Sequence, residues 1–166
     1  MGVKPIKLSS HSPEQTQLLG SHLGKLAQEG DAFLLMGDLG TGKTCLVQGI
    51  TQGLGIKENA FSPSFVIVRQ YNGRLRLYHI DLYRLDSVEE IANLGLDELL
   101  YNEGVCVIEW AERGLQLLPQ NNLLIQLNYV SKCETERTIY LKAKGERYSG
   151  LIGELKSVLD KEKVWS

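Results

Sequence analysis

Residues 37–44 read Gly-Asp-Leu-Gly-Thr-Gly-Lys-Thr, and no other stretch restricts the fold of this chain as tightly. The spacing is G-x-x-x-x-G-K-[ST]. Before it runs a continuous apolar segment, AFLLM at 32–36; after it Leu46, Val47, Ile50 and Leu54 recur at helical spacing until Gly55. A strand that is apolar at every residue is buried on both faces, as parallel strands are. Strand, glycine-rich turn and helix in that order make a phosphate cradle, because the glycines Gly37 and Gly42 let the backbone curl. Successive N–H groups then point inward, and the helix adds its positive N-terminal end. Lys43 is placed to reach the β- and γ-phosphates of a nucleotide, and Thr44 to give its hydroxyl to Mg²⁺.

A phosphate loop of this kind needs an acid at the end of a neighbouring buried strand to orient the metal. Two qualify. Glu109 follows Val-Cys-Val-Ile at 105–108, and Asp81 follows Arg-Leu-Arg-Leu-Tyr-His-Ile at 74–80. The first run is apolar throughout and fits a central strand beside the loop strand, whereas the second alternates and fits a hairpin. Glu109 is therefore assigned to the metal shell, and Asp81 to orienting water or answering the γ-phosphate. His79 reads as a hydrogen-bonded structural residue rather than a base or ligand. Trp110 reads equally as a stacking partner or a core-edge residue, and Ser62-Pro63-Ser64-Phe65 as a switch-like loop or a plain turn. Asp38 reads as a solvated loop residue. No Asn-Lys-x-Asp occurs, which favours adenine over guanine.

Ser12-Pro13-Glu14-Gln15 opens a helix that carries Leu19, Leu23 and Leu26 on one face and is expected to end at Gly30. Segments 64–71 and 74–81 are expected to pair antiparallel through a type I′ turn at Asn72-Gly73. Ser87-Val88-Glu89-Glu90 starts another helix that Gly95 interrupts or ends. Segments 122–130 and 136–144 alternate like an exposed-edge hairpin, and an amphipathic helix covers 148–161. The expected fold is α/β: a three-layer α/β/α P-loop NTPase fold with a mixed, mainly parallel central sheet and antiparallel hairpins. Residues 1–166 are expected to form a single domain, since one core typically serves ~100 to 200 residues.

A formal net charge of -2 provides no global positive field for nucleic acid, so any RNA contact is expected to run through a partner. Cys45, Cys106 and Cys133 are widely separated and suit free thiols in a reducing compartment. The opening MGVKPIKLSS lacks an apolar signal region, and no window approaches the ~20 apolar residues of a membrane span. A cytoplasmic protein without membrane contact is expected.

Taken in order and spacing, GDLGTGKT at 37–44, SPSF at 62–65, YHIDLYRL at 78–85 and VIEW at 107–110 resemble the TsaE family, formerly YjeE. That family is the ATPase component of bacterial tRNA threonylcarbamoyladenosine (t6A) synthesis, and the likeness spans most of the chain. One departure is Ser64, where threonine is common; the hydroxyl is kept. The resemblance implies a weak Mg-dependent ATPase that acts with a TsaD–TsaB complex and meets tRNA only through it. It supports modification of the adenosine beside the anticodon in ANN-decoding tRNAs. By position, it implies ATP held by Thr16, by the loop residues Asp38, Leu39, Gly40, Thr41, Gly42, Lys43, Thr44 and Cys45, and by Trp110 and Arg137. It further implies Mg²⁺ on Thr44 and Glu109, with Lys43 and Asp81 as the catalytic pair. Two rival classes share the cradle. A small-molecule kinase would add an arginine-bearing lid and an acceptor pocket, neither evident between Glu109 and Pro119. A nucleotide-gated binding module would need no turnover. Arg84 and Arg113 are the nearest candidates for an arginine finger in cis.

Overall fold

The computed structural model describes residues 4–58, 68–100, 103–130 and 133–165. Seven strands form one sheet: β1 (Ile6–Ser10), β2 (Ala32–Met36), β3 (Val68–Asn72), β4 (Arg76–Asp81), β5 (Val105–Glu109), β6 (Asn122–Val130) and β7 (Cys133–Lys144). Their order is β1-β7-β6-β2-β5-β4-β3. β6, β2, β5 and β4 run parallel, and β7, β1 and β3 extend this centre antiparallel at its two sides. The apolar strand β2 thus lies in the middle, with β5 on one side and β6 on the other.

Side chains alternate across the sheet, so odd-numbered residues of β2, β4 and β5 meet one helical layer and even-numbered residues the other. On the first face α1 (Pro13–Leu26), α2 (Lys43–Gly53) and α5 (Glu146–Glu162) bury Leu19, Leu46, Ile50 and Leu155 against Phe33, Leu35, Val107 and Ile125. On the second face lie α3 (Val88–Ala92), α4 (Asp97–Leu100) and two short 3-10 turns, packed on Leu34, Ile80 and Ile108. These are the three layers expected.

Several local expectations are corrected. The pair β6–β7 is not an exposed edge: β6 is interior beside β2, and β1 covers β7. Its alternation reports one buried face, and it does not reveal which strands will pair with its edges. β1 itself gave no signal, since IKLSS is polar enough that only Leu8 and Ser10 are buried. β4 forms the expected hairpin with β3, and β5 covers its other side, so that it is buried from Leu77 to Asp81 even at Tyr78 and His79. The β3–β4 pairing is antiparallel as expected, but Asn72 pairs with Arg76 and leaves a three-residue loop instead of a type I′ turn. A Cβ on Gly73 would lie 2.4 Å from the Leu54 carbonyl, so close approach accounts for that glycine. The expected strand residues 64–67 and the Ser62–Phe65 loop lie outside the described residues. α1 starts at the expected cap, with Ser12 Oγ accepting from Gln15 N at 3.1 Å, but it ends at Leu26 rather than Gly30. The guanidiniums of Arg74 and Arg147 take up its last carbonyls, those of Gly24 and Leu26 among them.

The contact that fixes α2 is unusual in being backbone to backbone. Gly20 and Gly24 of α1 face Gly49 and Gly53 of α2. A Cβ on Gly49 would stand 2.0 Å from the Gln17 carbonyl oxygen, and one on Gly20 2.2 Å from that of Leu46. No side chain larger than hydrogen fits, so α1 sets the position of the helix whose first residue is Lys43. Gly49→Ala is expected to destabilise the protein by about 1–3 kcal/mol through overpacking. Gly153→Ala in α5, where nothing lies within 4 Å, is expected to stabilise it by about 0.4–1 kcal/mol through the unfolded chain. Urea denaturation measures both, and equal effects of the two substitutions would contradict the close helix contact.

Candidate functional site

The loop between β2 and α2 turns through Gly40 and Gly42, at φ 81° and 106°, a region that favours glycine. The turn brings Lys43 back over the loop. Its Nζ donates to the carbonyls of Gly37 at 2.5 Å and Asp38 at 3.0 Å and lies 4.0 Å from the Trp110 ring centroid. Lys43 is 5% exposed. Burial lowers its pKa from the ordinary lysine value, while the carboxylates of Glu109, Glu112, Asp81 and Asp38 oppose that shift. Thr41 is buried and ties the loop internally, its hydroxyl donating to the Asp38 carbonyl at 2.8 Å. Asp38 itself is exposed, as a loop residue should be.

The acids arrive through strand register. Leu35 of β2 pairs with Glu109 of β5, and Glu109 pairs with Asp81 of β4, so both carboxylates stand side by side at the C-terminal ends of parallel strands. That is where open α/β sheets bind their ligands. Glu109 is 2% exposed, and its Oε1 accepts from the Thr44 hydroxyl at 3.3 Å. Its Oε2 is 2.5 Å from His79 Nε2. Asp81 Oδ1 accepts from Tyr83 N at 2.9 Å. Lys43, Thr44, Asp81, Tyr83, Glu109 and Trp110 line one cleft of about 470 Å³. Trp110 holds φ 58°, uncommon for so bulky a residue, and this turns its ring over Lys43 and against Tyr83, centroids 4.8 Å apart.

Leu39, Gly40, Gly42 and Cys45 also line this cleft, whereas Thr16 and Arg137 lie away from it. Thr16, Gly42, Cys45 and Arg137 flank a smaller cavity of about 160 Å³. The Thr16 hydroxyl is 2.7 Å from Ser10 Oγ, either oxygen being able to donate, and Arg137 donates to the Thr41 carbonyl at 3.1 Å. Arg137 also stacks at 4.6 Å over Tyr129, whose hydroxyl donates to the Leu39 carbonyl, so the β6–β7 hairpin grips the loop from outside. Arg84 lines the larger cleft. Arg113 donates to the Leu85 carbonyl at 3.2 Å and rests 5.4 Å from the Tyr83 ring. Tyr129, Glu112 and the pairing of His79 with Glu109 were not found from sequence. The period of two places His79 and Asp81 on one face, and that was the available signal for His79; the contacts of Tyr129 with the Leu39 carbonyl and of Glu112, whose Oε2 accepts from Gly37 N at 3.4 Å, left none.

Together, the layers, strand order and loop define a protein of the P-loop NTPase fold. The comparisons narrow this further. The model of the family described as "Threonylcarbamoyl adenosine biosynthesis protein TsaE" matches residues 10–139. The chain is 43% identical over 130 residues to the tRNA threonylcarbamoyladenosine biosynthesis protein TsaE of Treponema pallidum, covering 78% of this chain and 96% of the relative. It is 40% identical over 154 residues to the protein of that name from Bacillus subtilis, covering 92% and 95%. The crystal structure of Bacillus subtilis YdiB superposes with a TM-score of 0.81 at 37% identity over 95% of this chain and 97% of that one. The chain belongs to the TsaE family. Among the described residues, no helix is long and apolar enough to cross a membrane.

The three thiols report on the site's surroundings. Burial pushes Cys106 up to about 12. Burial and then the Glu14 carboxylate raise Cys45, whose thiol donates to the Pro13 carbonyl, while hydrogen bonds from Thr135 lower Cys133. A thiol with a raised pKa is less thiolate at a given pH and reacts more slowly. At pH ~8, iodoacetamide is expected to label Cys133 first and Cys45 slowly, with Cys106 reacting only on unfolding. Peptide mass spectrometry over time reads the order, and labelling of Cys106 at the rate of Cys133 would contradict its burial.

Proposed function

We propose that this chain binds Mg-ATP at the phosphate loop and hydrolyses it slowly, as the ATP-using component of t6A biosynthesis acting with a TsaD–TsaB complex. The observation that carries this reading is the meeting of Thr44 and Glu109 beside the buried Lys43. The names of the Treponema and Bacillus relatives support the t6A role. We take residues 1–166 as one domain and the cytoplasm as its compartment.

The donor set fits Mg²⁺. Thr44 and Glu109 offer hard oxygens, and among the described residues no cluster of three or more His, Cys, Asp or Glu side chains competes as a metal site. Mg²⁺ typically rests on one or two protein oxygens and takes the rest from phosphate and water. When bound, it would polarise phosphate oxygens and offset their charge. Lys43, held by two loop carbonyls and the Trp110 face, supplies the fixed positive charge for the terminal phosphates. Amides of the loop other than that of Thr41, which donates to the Asp38 carbonyl, supply neutral donors around it. Asp81 is oriented by Tyr83 N and is the group for positioning the attacking water, with Trp110 and Tyr83 limiting solvent at the cleft. The smaller cavity beside Thr16 and Arg137 suits the nucleoside. Arg113 is engaged at the Tyr83 ring and the Leu85 carbonyl while Arg84 lines the cleft, and we take a partner as the source of any further positive charge, with slow turnover without one.

Lys43→Ala is expected to weaken Mg-ATP binding about 10- to 100-fold, the loss of a charged hydrogen bond, with the fold retained. Glu109→Gln should reduce the dependence of binding on Mg²⁺. Asp81→Asn should keep binding and lower turnover about 10²-fold or more. Calorimetry and steady-state ATPase assays separate these, and exchange of the two acids' phenotypes would reverse their roles. Turnover should rise on adding TsaD and TsaB but not with tRNA alone, given the net charge of -2. Fast turnover by the isolated chain, unchanged by those partners, would point to an independent enzyme.

A further inference from the structure

We propose that His79 is a positioning residue that holds one oxygen of Glu109 so that the other faces Thr44 and the metal. The proposal rests on the Mg-nucleotide reading above and adds a residue to it. β4 and β5 are parallel, with His79 opposite Val107 and Asp81 opposite Glu109. Strand alternation puts all four side chains on the face covered by α2. His79 is fully buried, and its Nε2 meets Glu109 Oε2 at 2.5 Å, while Glu109 Oε1 takes the Thr44 hydroxyl. Each carboxylate oxygen therefore has its own partner, one below in the core and one above at the loop. A glutamate with neither contact could turn about its last torsion, whose wells are broad.

The chemistry of the partner matters as much as its place. Among the described residues His79 Nδ1 has no hydrogen-bond partner, so the ring's one polar contact is that of Nε2 with Glu109. A ring N–H donating to Oε2 steadies the carboxylate and leaves Oε1, with the carboxylate's negative charge, toward the loop. A lysine or arginine in this place would compete with the metal for that charge. Partners behind metal-binding carboxylates commonly change metal affinity by about 10- to 100-fold when removed.

The test uses the full chain, a fluorescent ATP analogue and a titration of Mg²⁺, with thermal unfolding in parallel. His79→Phe keeps a ring but deletes the donor, and His79→Gln returns an amide N–H near the position of Nε2. His79→Phe is expected to raise the Mg²⁺ concentration needed for tight binding about 10-fold or more, leaving Mg-free binding unchanged. His79→Gln should recover most of the loss, and His79→Phe should add nothing in a Glu109→Gln background. Should His79→Phe fail to fold, His79→Gln against His79→Asn decides, since the shorter amide cannot reach Glu109 and should lose Mg²⁺ dependence where Gln keeps it. Unchanged Mg²⁺ dependence in His79→Phe, or equal losses in Gln and Asn, would overturn the proposal while the nucleotide reading stands. A wild-type chain whose nucleotide binding ignores Mg²⁺ would instead overturn that reading and the proposal with it.

Discussion

Parallel pairing of β2 with β5, Leu35 opposite Glu109, is the constraint from which the site follows. The loop leaves β2 and returns through α2, so whatever stands at the end of the adjacent strand faces the start of that helix. A slip of one residue in this register would send Glu109 to the opposite face, away from Thr44. The register is held because both strands are apolar on both sides, Leu34 and Ile108 toward one layer, Leu35 and Val107 toward the other. Core burial and site geometry are thus a single requirement. α2 is fixed independently, by the glycine contact with α1 that allows no side chain between them. Strand register places the acid, and helix contact places the hydroxyl and ammonium.

Burial at this site gathers opposite charges that would each be costly alone. Lys43, Asp81 and Glu109 are all nearly inaccessible. Desolvation of the ammonium is countered by the surrounding carboxylates, two loop carbonyls and an aromatic face. The fold itself holds these charges in place. Tyr129 and Arg137 add a second hold on the loop, through the carbonyls of Leu39 and Thr41.

Much of this was legible in the residues because strong local signals coincide. The loop motif, its apolar strand and its helix could be read together, and the wholly apolar run before Glu109 identified the strand beside β2. What escaped was non-local or hidden by composition. β1 pairs with β7 although its own residues carry little hydrophobic signal, and β4, the expected hairpin partner of β3, gave no sign that β5 would cover its other side because Tyr78 and His79 are polar yet buried. The turn at Gly73 followed a sequence rule for hairpins, but the closing pair and the nearby Leu54 carbonyl decide its shape. His79 was read as a hydrogen-bonded structural histidine, and it is one. Its partner, thirty positions along the chain, could come only from the β4–β5 register.

The central claim is that the loop, Lys43, Thr44 and Glu109 form a site for a metal-bound nucleoside triphosphate. Calorimetric titration of the purified chain with ATP in Mg²⁺, with ATP in a chelator, and with adenosine in Mg²⁺ tests it most directly. The account predicts saturable binding of ATP that is tightest with Mg²⁺, and adenosine bound far more weakly because the cradle recognises phosphate. Adenosine binding as tightly as Mg-ATP, or no binding of ATP under any of these conditions, would contradict it.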